Sequence, residues 1–171
     1  MKNIKTLTLL CLALPTFFSY GSGLYLGIQG GYGVEKDAKL KYAGGEQVLI
    51  KDHDTGVGSI KAGYDFNRFF GTELRVGKAN DRSIMDSHAS AYLKAQYPLQ
   101  NDLTFYALLG GSHVLLAEDY FPGEALNSVS FGAGMRIPLS DTIGLNVEFM
   151  ETSSHKYYQL QSFQVGLDYR F

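Results

Sequence analysis

The sequence predicts an all-β fold, an eight-stranded antiparallel up-and-down transmembrane β-barrel. Three observations carry this. Beyond residue 21 the chain breaks into segments in which apolar and polar residues alternate with period two. The connections between them alternate between variable, charged stretches and short turns. One face of the segments collects charge while the other is almost wholly apolar and aromatic, a division that suits strands with lipid on one side and a polar interior on the other.

The N-terminus is set apart first. Residues 1–23 place Lys2 and Lys5 before an apolar run from Leu7 to Phe18 and small residues at Ser19, Gly21 and Gly23. That order predicts a secretory signal peptide cleaved after Gly21, leaving 22–171 as one barrel domain. Cys11, the only cysteine, leaves with it. Leu10 stands before it where a lipoprotein signal needs a small residue, so no lipid anchor is expected, and the mature chain has no thiol for a disulfide or metal site.

Composition narrows the class. Hydrophobic residues make up 45% and charged residues 19%, which argues against disorder. Twenty glycines with 12 Tyr, 11 Phe and no Trp suit strands and tight bends. Once the signal is removed, 13 basic face 17 acidic residues, so a nucleic-acid partner is not expected. Beyond the N-terminus no apolar stretch is long enough for a membrane helix, so membrane insertion must use strands.

The strands follow in order. The first, 23–34, shares Leu24, Leu26, Ile28 and Tyr32 on one face and leads into a charged connection from Glu35 to about His53. The second, 55–66, sets Ile60, Ala62, Tyr64 and Phe66 against Ser59, Lys61 and Asp65. A tight turn at Asn67-Arg68 opens the third, 69–79, where Phe70, Leu74 and Val76 alternate with Glu73 and Arg75. A short connection, Asn80 to Met85, precedes the fourth, 86–97, with Ala89, Ala91, Leu93, Ala95 and Tyr97 opposite His88, Ser90, Tyr92, Lys94 and Gln96. Pro98 ends it beside the turn 99–102.

The fifth strand, LTFYALLGGSHVLL, is too uniformly apolar to divide into faces. After the acidic connection 117–126, the sixth sets Val129, Phe131, Ala133, Met135 and Ile137 against Ser128, Ser130, Gly132, Gly134 and Arg136. The turn 140–142 opens the seventh, with Ile143, Leu145, Val147 and Phe149 against Asn146 and Glu148. A connection from Thr152 to Lys156 precedes the last strand, where Phe163, Val165, Leu167, Tyr169 and Phe171 alternate with Gln164, Gly166, Asp168 and Arg170. A soluble eight-stranded barrel would bury the apolar face and leave a wall of Gly, Ser and Ala outside, which fits this chain less well.

From Gly23 to Phe171 the chain resembles the small eight-stranded outer-membrane proteins of the OmpA-barrel and OmpX type. The likeness rests on the opening strand GLYLGIQGGYG, the alternating loop lengths and the ending VGLDYRF. It implies a cell outer-membrane location with lipopolysaccharide as surrounding lipid. It further implies that Phe163, Val165, Leu167, Tyr169 and Phe171 are read by the barrel-assembly machinery. The wall-anchoring role of the larger OmpA proteins does not carry over.

Several constellations are candidates for function. Lys61, Glu73, Arg75, Lys94, Arg136, Glu148 and Asp168 point inward, and Lys61, Glu73, Arg75, Lys94 and Glu148 fall at mid-depth. The favoured reading is a paired polar plug, with a gate on a narrow ion pathway as the alternative. His53, His88, His113 and His155 are expected near the outer rim as headgroup-facing polar residues rather than as a metal site. His88 and Ser90 share one face, as a His-x-Ser pair does in an outer-membrane lipid A deacylase family, but Ala91 departs from its pattern and the pair is expected to face inward. Loop residues Tyr42, Glu118, Asp119, Tyr120 and Phe121 are candidate contacts for an unknown extracellular ligand. The alternative for Tyr42, Tyr120, Phe121, Tyr157 and Tyr158 is an aromatic girdle. Lys78 and Arg82 are candidates to meet lipid A phosphates. The function expected is therefore a monomeric structural or surface-interaction barrel, not an enzyme and without cofactor. A narrow pore and a lipid A-modifying enzyme are second and third.

Overall fold

The computed structural model describes residues 23–36, 38–41, 47–50, 53–80, 83–99, 103–117, 125–155 and 158–171. Eight long strands form one closed antiparallel barrel: β1 (Gly23–Lys36), β4 (His53–Asp65), β5 (Phe70–Ala79), β6 (Met85–Pro98), β7 (Thr104–Leu116), β8 (Ala125–Pro138), β9 (Ile143–His155) and β10 (Tyr158–Arg170). Each pairs with its neighbour in sequence, and β10 pairs with β1 to close the cylinder. Closure leaves no unpaired sheet edge, the condition a strand structure must meet in lipid. β2 (Ala38–Lys41) and β3 (Gln47–Ile50) form a separate two-stranded sheet within the first long connection.

The period-two pattern sets the barrel's two surfaces. Ile28, Ile60, Leu93, Leu109, Phe131 and Phe163 are among the exposed large apolar residues that cover the outer wall. Such a continuous apolar surface would drive aggregation in water and is satisfied by acyl chains. Residues of opposite parity fill the lumen, where polar pairing is joined by apolar clusters.

The turns at the end holding Gly23 and Phe171 are built from short polar side chains. Asn67 Oδ1 accepts hydrogen bonds from the backbone nitrogens of Phe69 and Phe70 at 2.8 and 2.9 Å, an Asx turn that reverses β4 into β5. Ser140 Oγ accepts from Ile143 N at 3.0 Å and does the same between β8 and β9. This end is called the turn end below, and the opposite one the loop end.

Four sequence expectations need correction. The stretch Glu35 to His53 is not only a connection, since β2 and β3 pair within it. The connection expected at Thr152–Lys156 is mostly strand: β9 runs to His155, β10 starts at Tyr158, and the register shifts beside Leu160 and Gln161 where Thr152 is skipped. A bulge of this kind hides a strand from a strict alternation test. The connection expected from Asn80 to Met85 is shorter, because Met85 opens β6, and Ser83, Ile84 and Met85 are buried in the loop-end mouth. Tyr158 is fully buried rather than part of an outer girdle. The fifth strand, which polarity could not divide, turns Tyr106, Leu108, Ser112, Val114 and Leu116 inward and Phe105, Leu109, His113 and Leu115 outward.

Candidate functional site

The interior is stacked in tiers. At the turn end, Lys61 Nζ lies 3.0 Å from Asp168 Oδ1. Asp65 receives Lys94 Nζ at 2.5 Å and Arg170 at 2.8 Å. Above this, Arg75 joins two carboxylates. Its Nε donates to Glu73 at 2.5 Å, and its two terminal nitrogens donate to Glu148 Oε1 and Oε2 at 2.6 and 2.7 Å. That two-point geometry is the strongest a guanidinium makes with a carboxylate.

Tyrosines tie the tiers together. Tyr25 donates to Glu73 Oε2 at 2.6 Å and accepts from Lys94 at 2.9 Å, while Tyr106 donates to Glu148 Oε2 at 3.0 Å. The Arg75 guanidinium also lies 5.2 Å from the centre of the Tyr92 ring, within cation–π range. Buried charge is costly unless each group is paired and hydrogen-bonded, and these chains supply both conditions.

Glycines make room for these side chains. Tyr25 pairs across the sheet with Gly63, and Tyr106 with Gly134. A Cβ at either glycine would collide with the facing tyrosine ring. Arg136 lies over Gly144 in the same way. The free volume left among Tyr25, Lys61, Arg136, Asn146 and Arg170 is about 10 Å³, room for roughly one water molecule.

Higher in the lumen, Gln29 donates to Gln164 and Gln164 to Ser162, both at 2.7 Å. Tyr92 and Ser130 are 2.8 Å apart. His88 Nδ1 is 2.9 Å from Ser90 Oγ, which is 2.6 Å from Ser112 Oγ.

The loop end is closed by an apolar stopper. Ile84 and Met85 pack with Val114, Leu116, Tyr158 and Leu160. A single carboxylate holds it in place. Glu35 accepts from Ser83 Oγ, from Ile84 N at 3.2 Å and from Tyr158 Oη at 2.7 Å. Ile84 O in turn accepts from Ala117 N at 2.8 Å, and Asn80 N donates to Gly56 O at 3.0 Å. Asn80 and residues 83–85 thus tie the ends of β1, β4, β7 and β10 together.

All seven inward charges predicted from sequence are buried. The structure joins Lys61 to Asp168, and Glu73 and Glu148 to Arg75; Lys94 reaches Glu73 through Tyr25, and Arg136 shares the turn-end cavity. Phe163, Val165, Leu167, Tyr169 and Phe171 are all exposed on the outer side, and the Tyr169 and Phe171 rings meet edge to face at 5.0 Å. Lys78 is exposed. Tyr42, Arg82, Glu118, Asp119, Tyr120, Phe121, Tyr157 and the segment 1–21 lie outside the described residues. Of the histidines expected near the outer rim, His113 is on the outer face close to the loop end of β7, as a headgroup-facing residue would be, whereas His88 turns into the lumen.

Sequence reasoning missed Tyr25, Tyr106, Glu35, Ser83, Ile84, Met85 and Tyr158 as parts of the interior. Parity alone was enough for Tyr25, which alternates with Leu24 and Leu26.

A family described as outer membrane protein beta-barrel domain matches residues 5–171. Among solved structures, Neisserial surface protein A is similar at a TM-score of 0.59 and 14% identity over 88% of this chain and 99% of that one. The N-terminal barrel domain of Pseudomonas aeruginosa OprF gives 0.56 at 14% identity, over 86% of this chain and 97% of that one. Yersinia pestis Ail, in complex with the heparin analogue sucrose octasulfate, gives 0.54 at 18% identity, over 87% and 99%. Among curated proteins, none matches the chain in sequence.

Proposed function

The chain belongs to the outer membrane protein beta-barrel domain family, and from that membership we propose a closed, non-enzymatic outer-membrane barrel that presents its loops to molecules outside the cell. The observation that carries this reading is the continuous interior from Asp65 through Lys94, Tyr25, Glu73 and Arg75 to Glu148, sealed above by the Glu35-bound stopper. A narrow pore would require both seals to open together. Lipid A chemistry at His88 and Ser90 would require side chains on the outer wall, and these two face the lumen.

The remaining roles follow from that reading. Residues 1–21 direct export and are removed. Phe163, Val165, Leu167, Tyr169 and Phe171 form an outward aromatic row suited to recognition by the assembly machinery. Lys78, with Arg82 beside it in sequence, meets lipid phosphate, and the barrel works as a monomer. Tyr42, Glu118, Asp119, Tyr120 and Phe121 are offered to an extracellular ligand on loops whose bases Asn80 and residues 83–85 brace.

The first loop mixes Lys36, Lys39, Lys41 and Lys51 with Glu46, Asp52 and Asp54, and the Ail structure holds a sulfated sugar. A sulfated glycan is therefore the first ligand class to try. Cells displaying the wild-type barrel should bind immobilised heparin more than cells displaying a variant with these four lysines changed to glutamine. Equal binding by both, with equal amounts of folded barrel at the surface, would remove this ligand class.

A further inference from the structure

The lower lumen carries more positive than negative charge. From the Arg75 tier to the turn end, the inward cations are Lys61, Arg75, Lys94, Arg136 and Arg170, and the inward carboxylates are Asp65, Glu73, Glu148 and Asp168. However these groups pair, five cations against four carboxylates leave one positive charge among the described residues of this region. All of them except Arg170 are nine-tenths buried or more, so water screens the excess poorly.

A small cavity lies within this charge. About 10 Å³ is free among side chains that include Tyr25 and Tyr106. Lys61, Lys94, Arg136 and Arg170 line it, against only two of the carboxylates, Glu73 and Asp168. Asn146 lines it as well. That residue is 2% exposed, and its amide nitrogen Nδ2 donates to no atom of the described residues. Asn146 is the direct cross-strand neighbour of Arg136, and Gly144, two residues before it on β9, leaves room for the Arg136 guanidinium to lie against the wall.

Two requirements therefore coincide at one place: an acceptor for a buried N–H donor, and a negative charge. A water molecule supplies the first and not the second. A monatomic anion supplies both, and chloride is only slightly larger than water, whereas an oxyanion such as sulfate is too large for the volume. Arg170, whose side chain is 27% exposed, marks the way in from the turn end.

We infer that this cavity is a binding site for one chloride ion, which accepts from Asn146 Nδ2 and offsets the excess charge of the lower lumen. The ion is a structural part of the closed barrel, since the tier of Glu73, Arg75 and Glu148 stands between it and the loop end. It bears on stability and is independent of what the loops bind.

Urea unfolding of the wild-type barrel in zwitterionic vesicles tests this, with sodium gluconate exchanged stepwise for sodium chloride at constant ionic strength. The equilibrium constant for unfolding should fall saturably with chloride, by about tenfold at ten times the half-saturating concentration. Bromide should act as chloride does, sulfate should not, and crystals grown with bromide should show its anomalous scattering beside Asn146. Asn146→Leu keeps the size and removes the donor, and Arg136→Gln removes the excess charge. Each should lose most of the chloride effect while heat-modifiable gel mobility shows a closed barrel, and Arg136→Lys should keep it. The wild-type comparison and the bromide position need no variant, so the site can fail even where a substitution does not fold. Equal unfolding of wild type in chloride and gluconate, a chloride effect undiminished in the folded variants, or bromide located elsewhere would overturn the site.

Discussion

Arg75 grips Glu148 through two parallel hydrogen bonds of 2.6 and 2.7 Å, joining β5 to β9 across the lumen and across 73 residues of sequence. The same guanidinium holds Glu73 on its own strand. One cation therefore compensates two buried carboxylates.

Replacing Arg75 by Met leaves Glu73 and Glu148 buried without their cation. Breaking a buried pair by removing one partner costs about 3–5 kcal/mol, and urea unfolding in lipid vesicles should show a loss of that size. Adding Glu148→Gln should recover part of it. A single-variant loss below about 1 kcal/mol would be typical of an exposed pair instead.

Two glycines on opposite faces should respond differently to the same change. Gly63 faces the Tyr25 ring, which a Cβ would strike, whereas the space at Gly30 is open apart from Val57 O at 3.6 Å. Gly63→Val should cost about 1–3 kcal/mol through overpacking. Gly30→Val, adding an apolar side chain on the lipid side, should be neutral or stabilising. Equal effects in the unfolding assay would show that the tyrosine does not lie in the notch.

Removing the Glu35 carboxylate should loosen the mouth without opening the barrel. In Glu35→Ala, Ser83 Oγ, Ile84 N and Tyr158 Oη lose their acceptor. Each unsatisfied group costs about 1–3 kcal/mol. Amide hydrogen exchange at Ile84 and Met85 should then accelerate by about tenfold or more, while exchange at Glu73 and Arg75 stays slow. Unchanged exchange at Ile84 would mean that the apolar contacts alone hold the stopper.

Phe171 should matter more to assembly than to the finished barrel. It is 71% exposed and follows the last strand. Phe171→Ala should reduce the heat-modifiable barrel recovered from outer membranes. Its stability after refolding into vesicles should fall by no more than about 1 kcal/mol. A parallel fall in both measurements would assign the residue to packing rather than recognition.

The strands and their outer face were legible because lipid imposes alternation on every span: Ile28, Ile60, Leu93 and Phe163 all lie where parity puts them. The inward charges were legible for the same reason. What alternation could not reach was the loop end. There the lumen becomes apolar, so Val114, Leu116 and Leu160 read like wall residues while facing inward. Ile84 and Met85 looked like a connection because their burial depends on one carboxylate 49 and 50 residues earlier. The bulge at Thr152 shifted the phase between β9 and β10, so strict period two ended β9 too soon. Pairing partners such as Asp65 with Lys94 depend on barrel closure and shear, which no single strand encodes.

Conductance in planar bilayers tests the closed barrel most directly. Purified wild-type protein should insert without discrete current steps, because the Glu73–Arg75–Glu148 tier and the Glu35-bound stopper close the lumen in series. The paired variant Glu35→Ala with Arg75→Ala should flicker open under the same voltage. Stable steps of uniform size from wild type, in preparations whose gel mobility shows a folded barrel, would contradict the account and make the lumen a pore.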